Sequence, residues 1–102
     1  VLVLSVTSES PLPEEDVVSR VFAPWAGIDE DPVTGIAHTA LGPYWIGELG
    51  RPEIRARQGG QRQGELRVRL VGERVQLIGH AVTVARGVLT LPVAASPAPR
   101  AG

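Results

Sequence analysis

Two residue types with reactive side chains are missing from this chain. There is no cysteine among its 102 residues, which excludes disulfide bonds, thiolate metal ligands and a thiol nucleophile within it. There is also no lysine, because all ten cationic residues are arginine. A Schiff base with a carbonyl substrate or pyridoxal phosphate requires a lysine amine, so this chain cannot supply one. Proton transfer is therefore left to carboxylates, His38, His80 and Tyr44.

Long apolar runs and a strong net charge are absent as well. No stretch approaches the roughly 20 apolar residues of a membrane-spanning helix, and no basic-then-apolar signal peptide is present. The net charge of −1 gives no electrostatic reason to expect a nucleic acid or a membrane as partner. We therefore expect a cytoplasmic protein that binds neither.

The arginine-rich stretch 51–74 is the feature that most favours nucleic-acid binding, with seven arginines against three glutamates. On the predicted strands, however, the arginines alternate with apolar residues, and no aromatic side chains interleave with them for base stacking. A solvated sheet face is the better interpretation of this stretch.

Methionine is the third missing residue type, and the chain begins directly with the apolar run VLVLSV. We expect a segment of a longer protein, or a product shortened at its front, so that part of an active site lies elsewhere. The segment is long enough for one domain at most, and its hydrophobic fraction of 43% suffices for a small core.

Hydrophobic periodicity predicts one helix and about six strands. The helix is expected over residues 35–49, with Gly50 at its C-terminal end. It is apolar on nearly all sides, which is typical of a core helix, and Pro43 predicts a kink or a two-part helix. Residues 26–33 are expected to be irregular. The candidate strands lie at 1–6, 17–22, 54–58, 65–70 and 75–77, with one or two more in 81–85 and 88–91.

These elements define a fold class. A helix that is apolar all round needs cover on all sides, so we predict an α+β fold in which a mostly antiparallel, curved β-sheet, a half-barrel, wraps around one central buried α-helix. The lobe spans residues 1–91. Residues 92–102 are rich in proline and alanine and are expected to form a flexible tail.

The motif DPVTG, residues 31–35, contains the most informative carboxylate. Asp31 precedes the predicted helix by a few residues, and the first-turn N–H groups of a helix lack internal partners and attract anions. A carboxylate beside them can transfer a proton if its environment is suitable. The alternative is that Asp31 or Thr34 only caps the helix, and spacing alone favours this alternative. Glu30 and Asp29 are interpreted as solvated loop charges.

This segment resembles the signature of the phenazine-biosynthesis-like (PhzF-type) isomerase family, and the resemblance extends to about Leu91. The matching residues are RVFAPW at 20–25, GI at 27–28, EDPVTG at 30–35, AH at 37–38, PYW at 43–45, LG at 49–50, Gln58, Arg62, GEL at 64–66, the stretch 74–79 and Gly87.

The resemblance implies a fold and a reaction. Family members look like diaminopimelate epimerase, with two similar lobes and an active site between them that faces the N-terminal ends of two helices. This chain resembles the C-terminal lobe, and nothing in it corresponds to the family's catalytic glutamate. The implied reaction is cofactor-independent isomerisation or epimerisation of a small carboxylic acid. The implied partners are the N-terminal lobe of the same protein and, as an alternative, a second copy of this chain.

The resemblance also implies roles for individual residues. Asp31 corresponds to the catalytic acid–base aspartate. His38 either contacts the ligand or has a structural, hydrogen-bonded role, and we favour the structural role. The expected substrate-binding residues are Thr34, Gly35, Ile36, Ala37 and His38.

Three residues depart from the family pattern. Ile36 stands where the family usually has serine, Gly60 replaces a serine, and Gln63 replaces a glycine. An isoleucine cannot donate the hydroxyl hydrogen bond of a serine, although its N–H remains available. These departures favour an alternative function, a catalytically inactive PhzF-like interaction domain that binds a protein partner.

Overall fold

The computed structural model describes residues 3–93 as six strands, one α-helix and one short 3-10 helix, which is the turn Pro24–Ala26. The strands are β1 (Leu4–Glu9), β2 (Val17–Ala23), β3 (Ile28–Asp31), β4 (Glu53–Gly59), β5 (Gln63–Val71) and β6 (Arg74–Ile78), and the helix is α1 (Gly35–Leu49).

The strands form one sheet in the order β1-β2-β4-β5-β6, with β3 paired to β2. All pairs are antiparallel except β2 with β4, where Val17 lies opposite Ala56. Parallel neighbours require a crossover connection, and α1 supplies it. The predicted α+β class, with a mostly antiparallel open sheet and one helix, is confirmed. The expected hairpin turn at residues 72–73 joins β5 to β6.

The core lies between one face of this sheet and α1. Residues two apart on a strand share a face, so β4 turns Ile54, Ala56 and Gln58 inward. The apolar cluster consists of Val17, Ile46, Ile54, Ala56 and Val68.

The helix matches its predicted bounds and is continuous through Pro43, so the two-part alternative is wrong. Its buried residues are Ala37, His38, Gly42 and Ile46. Ile36 and Tyr44 on the other side are 68% and 56% exposed. Residues 3–93 therefore cover α1 on one side rather than all round, because an open sheet reaches only one face of a helix.

Two strand predictions need correction. Residues 28–31 were expected to be irregular but form β3, because β2 offers them an edge for hydrogen bonding. Residues 81–85 and 88–91 were expected to form one or two strands, but they pair with no strand among residues 3–93. Their apolar side chains are accordingly exposed: Val82 is 83% and Val88 is 95% accessible.

The predicted tail begins at residue 92, and its residues 94–102 lie outside the described part of the chain. Within residues 3–93, no helix has both the length and the apolar character needed to cross a membrane.

Candidate functional site

The candidate site is the short connection from β3 to α1. Asp31 is the last residue of β3, and its backbone pairs with Val21 of β2. The helix begins at Gly35, with Thr34 at the N-cap position. The sheet thus holds Asp31 within one turn of the helix N-terminus, where the sequence predicted it. The Asp31 side chain is half-buried.

The side chain of Thr34 does not cap the helix. Its hydroxyl instead donates a hydrogen bond of 2.5 Å to Asp31 Oδ2. The first-turn N–H groups, at residues 35–37, therefore have no side-chain cap among the described residues. Gly35 and Ile36 are exposed there, whereas Ala37 is buried. The cap-only interpretation fails for Thr34, because its hydroxyl serves the neighbouring carboxylate.

A buried glutamine holds this connection to the sheet. Gln58, near the end of β4, is 0% exposed. Its Oε1 accepts from the Thr34 N–H at 2.8 Å, and its Nε2 donates to the Asp31 carbonyl and to Thr34 Oγ1, both at 2.9 Å. Gln58 matches the family pattern, but the sequence alone indicates no role for it. One feature of the sequence could have indicated a role: Gln58 is polar, although it shares the inward face of β4 with the apolar residues Ile54 and Ala56.

His38 lies one turn into the helix and is 0% exposed. Its Nδ1 is 2.9 Å from the Thr34 carbonyl oxygen, and because a carbonyl only accepts, Nδ1 carries the proton. The other ring nitrogen, Nε2, is buried with no hydrogen-bond partner among residues 3–93. The Nδ1 contact ties the imidazole ring to the helix N-terminus, and the two alternatives for His38 stay predictions.

An ion pair lies next to the site. Arg20 donates from Nε and Nη2 to the two carboxylate oxygens of Glu30, at 2.8 and 2.7 Å. These bonds hold the pKa of Glu30 below its usual value. Both Glu30 and Asp29 lie on β3 rather than in a loop; Glu30 is paired with Arg20, whereas Asp29 is exposed as expected.

Open depressions flank the connection on two sides. One, of about 500 Å³, is lined by Arg20, Glu30, Pro32 and the turn 60–62 among others. Another, of about 350 Å³, lies between residues 3–5 and the first turns of α1, where Ile36 lines it. Asp31 lies at the start of the connection but lines neither depression. No group of three or more metal-ligating side chains occurs within residues 3–93.

Gly59 brings the turn after β4 against this connection. Its φ of +117° is a conformation that glycine adopts readily, and a Cβ there would lie 2.9 Å from the Pro32 carbonyl oxygen. The site therefore depends on a close backbone approach between two loops.

Known proteins are similar to this chain in sequence. A family model described as phenazine biosynthesis-like protein matches residues 1–87. An uncharacterized isomerase of Halalkalibacterium halodurans is 50% identical over 86 residues, which are 84% of this chain and 32% of that protein. Phenazine biosynthesis-like domain-containing protein 2 of Mus musculus is 55% identical over 76 residues, covering 74% of this chain and 26% of that protein.

A solved structure agrees with these sequence matches. The crystal structure of a PhzC/PhzF phenazine-biosynthesis protein of Clostridium difficile superposes with a TM-score of 0.71 at 33% identity, covering 88% of this chain and 34% of that one. The chain therefore spans between about a quarter and a third of the length of these relatives. It belongs to the phenazine-biosynthesis-like, or PhzF-type, family of isomerases.

Proposed function

We propose that this chain contributes the aspartate side of a two-sided site that transfers protons on a small carboxylic acid without a cofactor. Membership of the family supports an isomerase-type function in general. The observation that carries the finer proposal is the position of Asp31, half-buried and one turn before a helix whose first N–H groups have no side-chain cap within the described residues.

The chemistry divides between two neighbouring groups. The N–H groups of residues 35–37 and the helix dipole attract the carboxylate of the substrate. The Asp31 carboxylate then takes a proton from a carbon next to that anchored group, or returns one to it. A base on the opposite face completes an isomerisation or epimerisation, and that base belongs to the N-terminal lobe of the whole protein.

Isotope exchange in the full-length protein tests this proposal. Four carboxylic acids with an acidified C–H bond (but-3-enoate, L-alanine, L-proline and L-glutamate) are incubated in D₂O, and deuterium uptake at carbon is followed by proton NMR. We expect uptake with at least one acid and its loss in Asp31→Asn. The matched control is Asp29→Asn, which removes an exposed carboxylate two residues away and retains exchange. Full exchange by Asp31→Asn would refute the proton-transfer role.

A second candidate function is a catalytically inactive interaction domain. It is favoured by Ile36, an apolar side chain that is 68% exposed at the first turn of α1, where the family usually has serine. The two candidate functions predict different results for isotope exchange and for partner binding. An inactive domain shows no exchange with any of the four acids, and it retains a protein partner that Ile36→Asp releases.

A further inference from the structure

The amide of Gln58 is buried completely, and its hydrogen bonds define its orientation. The Thr34 N–H only donates, so the atom facing it is Oε1; the Asp31 carbonyl only accepts, so the atom facing it is Nε2. Both contacts are satisfied by one orientation of the amide. Nε2 therefore also faces the Thr34 hydroxyl, at 2.9 Å.

This orientation sets the direction of the next hydrogen bond. An amide Nε2 is a donor only, so Thr34 Oγ1 must accept from it. The single hydroxyl proton of Thr34 is then left for Asp31 Oδ2, 2.5 Å away. That distance is typical of a hydroxyl donating to an ionised carboxylate. Oδ2 is thus an acceptor, and Oδ1 is the oxygen that this bond leaves available.

We propose that Gln58 is a positioning residue that acts through Thr34 and selects which oxygen of Asp31 exchanges the proton. The inference rests on the proposed function of Asp31. A substrate C–H bond breaks as the Oδ1–H bond forms, and its electron pair stays on the substrate. The reverse step returns the proton from Oδ1. Thr34 keeps its own proton throughout, because its hydroxyl is held between Gln58 and Oδ2.

A double-mutant cycle read by NMR tests whether Gln58 acts on Asp31 through the Thr34 hydroxyl. It uses the 102-residue chain and needs no substrate. The ¹³C resonance of the Asp31 carboxylate is compared among the parent, Thr34→Val, Thr34→Ser, Gln58→Glu and the double variant T34V/Q58E. Valine has the shape of threonine without the hydroxyl, and serine keeps the hydroxyl. Glutamate at 58 replaces the Nε2 donor with an acceptor, which turns the Thr34 hydroxyl away from Asp31.

We expect T34V and Q58E each to shift the Asp31 resonance and T34S to leave it in place. Because Gln58 also bonds the Asp31 carbonyl directly, Q58E is expected to keep a smaller shift in the T34V background than in the parent. A Q58E resonance equal to the parent's, or a Q58E shift as large in the T34V background as in the parent, would overturn the proposal. The parent chain provides a measurement that does not depend on the folding of Q58E. Its Gln58 side-chain amide protons are expected to exchange slowly with solvent, and rapid exchange would contradict the proposal.

Turnover in the full-length protein separates this inference from the proposed function. With the four acids above, T34V is expected to lower kcat by about a hundredfold, and T34S, which restores the hydroxyl, is expected to recover most of the kcat that T34V loses. If Asp31→Asn abolishes exchange but T34V does not lower it, Asp31 keeps its role and the positioning role of Gln58 is wrong. If Asp31→Asn exchanges normally, the proposed function fails, and the inference fails with it.

Discussion

Gly42 of α1 lies directly against Val68 of β5. A Cβ at position 42 would be 2.3 Å from Val68 Cγ1, closer than any real contact of this kind. Val68 is fully buried, so it has no room to withdraw. The distance between helix and sheet therefore depends on the absence of a side chain at position 42.

Gly42→Ala is expected to lower the free energy of unfolding by about 1–3 kcal/mol, because the added methyl group overpacks the core. Gly47→Ala in the same helix is the matched control, since a Cβ there meets nothing within 4 Å. It is expected to raise stability by about 0.5–1 kcal/mol through the better helix propensity of alanine. Urea denaturation of both variants measures the difference, and equal effects would contradict the close approach.

Gly59→Ala is expected to damage the candidate site as well as stability. The new Cβ would meet the carbonyl oxygens of Arg62 at 2.1 Å and Pro32 at 2.9 Å, in addition to the strain of a positive φ. We expect a loss of more than about 2 kcal/mol in the free energy of unfolding and altered backbone resonances at residues 31–34.

Gly72→Ala is the control that separates the backbone strain of a positive φ from the steric clash expected at position 59. Gly72 also has a positive φ, +60°, but nothing lies within 4 Å of its Cβ position. Its expected cost is only about 1 kcal/mol, with residues 31–34 unchanged in the spectrum. The prediction for position 59 is wrong if the two variants behave alike.

Glu15 links the loop before β2 to β4 and makes stability depend on pH. It is 8% exposed, accepts two hydrogen bonds from Arg57 Nε and Nη2 at 2.8 and 2.9 Å, and accepts a third from Ser10 at 2.6 Å. The Arg57 bonds, helped by Ser10, hold the pKa of Glu15 below its usual 4.5 although burial opposes this. Because folding lowers this pKa, the ionised Glu15 carboxylate stabilises the folded protein above pH 4.5. This stabilisation is lost as the pH falls through the pKa that Glu15 has in the folded protein.

Glu15→Gln is therefore expected to lower the free energy of unfolding by about 1–3 kcal/mol at neutral pH, because it removes the charge-assisted pair between a buried carboxylate and the half-buried Arg57. The difference from the parent shrinks as the pH falls below 4.5. Glu14→Gln makes the same charge change at an exposed neighbour and should have little effect. Thermal melts from neutral to acidic pH measure both, and a difference that stays constant across this range would contradict the ion-pair argument.

Exposed valines after β6 are expected to make the isolated chain self-associate. Val82 and Val84 are 83% and 92% exposed in an unpaired stretch with period-two apolar side chains, a pattern prone to edge-to-edge pairing. The double variant Val82→Glu/Val84→Glu should sediment as a smaller species with an unchanged melting temperature. Thr83→Glu/Ala85→Glu adds the same charge at the alternate positions and should have a weaker effect. Equal effects of the two variants would indicate charge repulsion without an apolar contact.

Ile36→Ser is expected to strengthen carboxylate binding at the start of α1. The side chain is 68% exposed, so its loss changes stability by less than about 0.5 kcal/mol. A hydroxyl there adds one hydrogen bond, which corresponds to roughly twofold to tenfold tighter binding. Calorimetry of the full-length protein with but-3-enoate measures the gain. Ile36→Ala is the control for removed bulk, and no advantage of serine over alanine would argue against a hydroxyl contact.

Local signals explain which elements were predictable. The helix bounds were correct because Gly50 ends the helix in the left-handed conformation, with its N–H bonded to the Ile46 carbonyl. The strand that became β4 was predictable from its alternation of apolar and charged residues. Asp31 lies beside the helix N-terminus because only three residues separate it from Gly35, which allows little other geometry.

Long-range pairing explains what was not predictable. The IDED stretch, residues 28–31, has no strand pattern and becomes β3 only because β2 offers it an edge. Residues 81–91 have the pattern of strands, yet they pair with no strand in the described part of the chain. Strand formation depends on a partner that a local pattern does not reveal.

The order of residues along the chain was enough to determine that a carboxylate adjoins a helix start and that thiol and lysine chemistry are excluded. Which side chains form hydrogen bonds with the residues around this carboxylate was decided only by the folded structure. Gln58 is 24 residues from Thr34 and 27 from Asp31 along the chain, and their hydrogen bonds form only when β4 packs beside the β3–α1 connection. Spacing controls contacts within a few residues, whereas the direction of a hydroxyl proton on Thr34 is decided by a buried amide that only the sheet brings close.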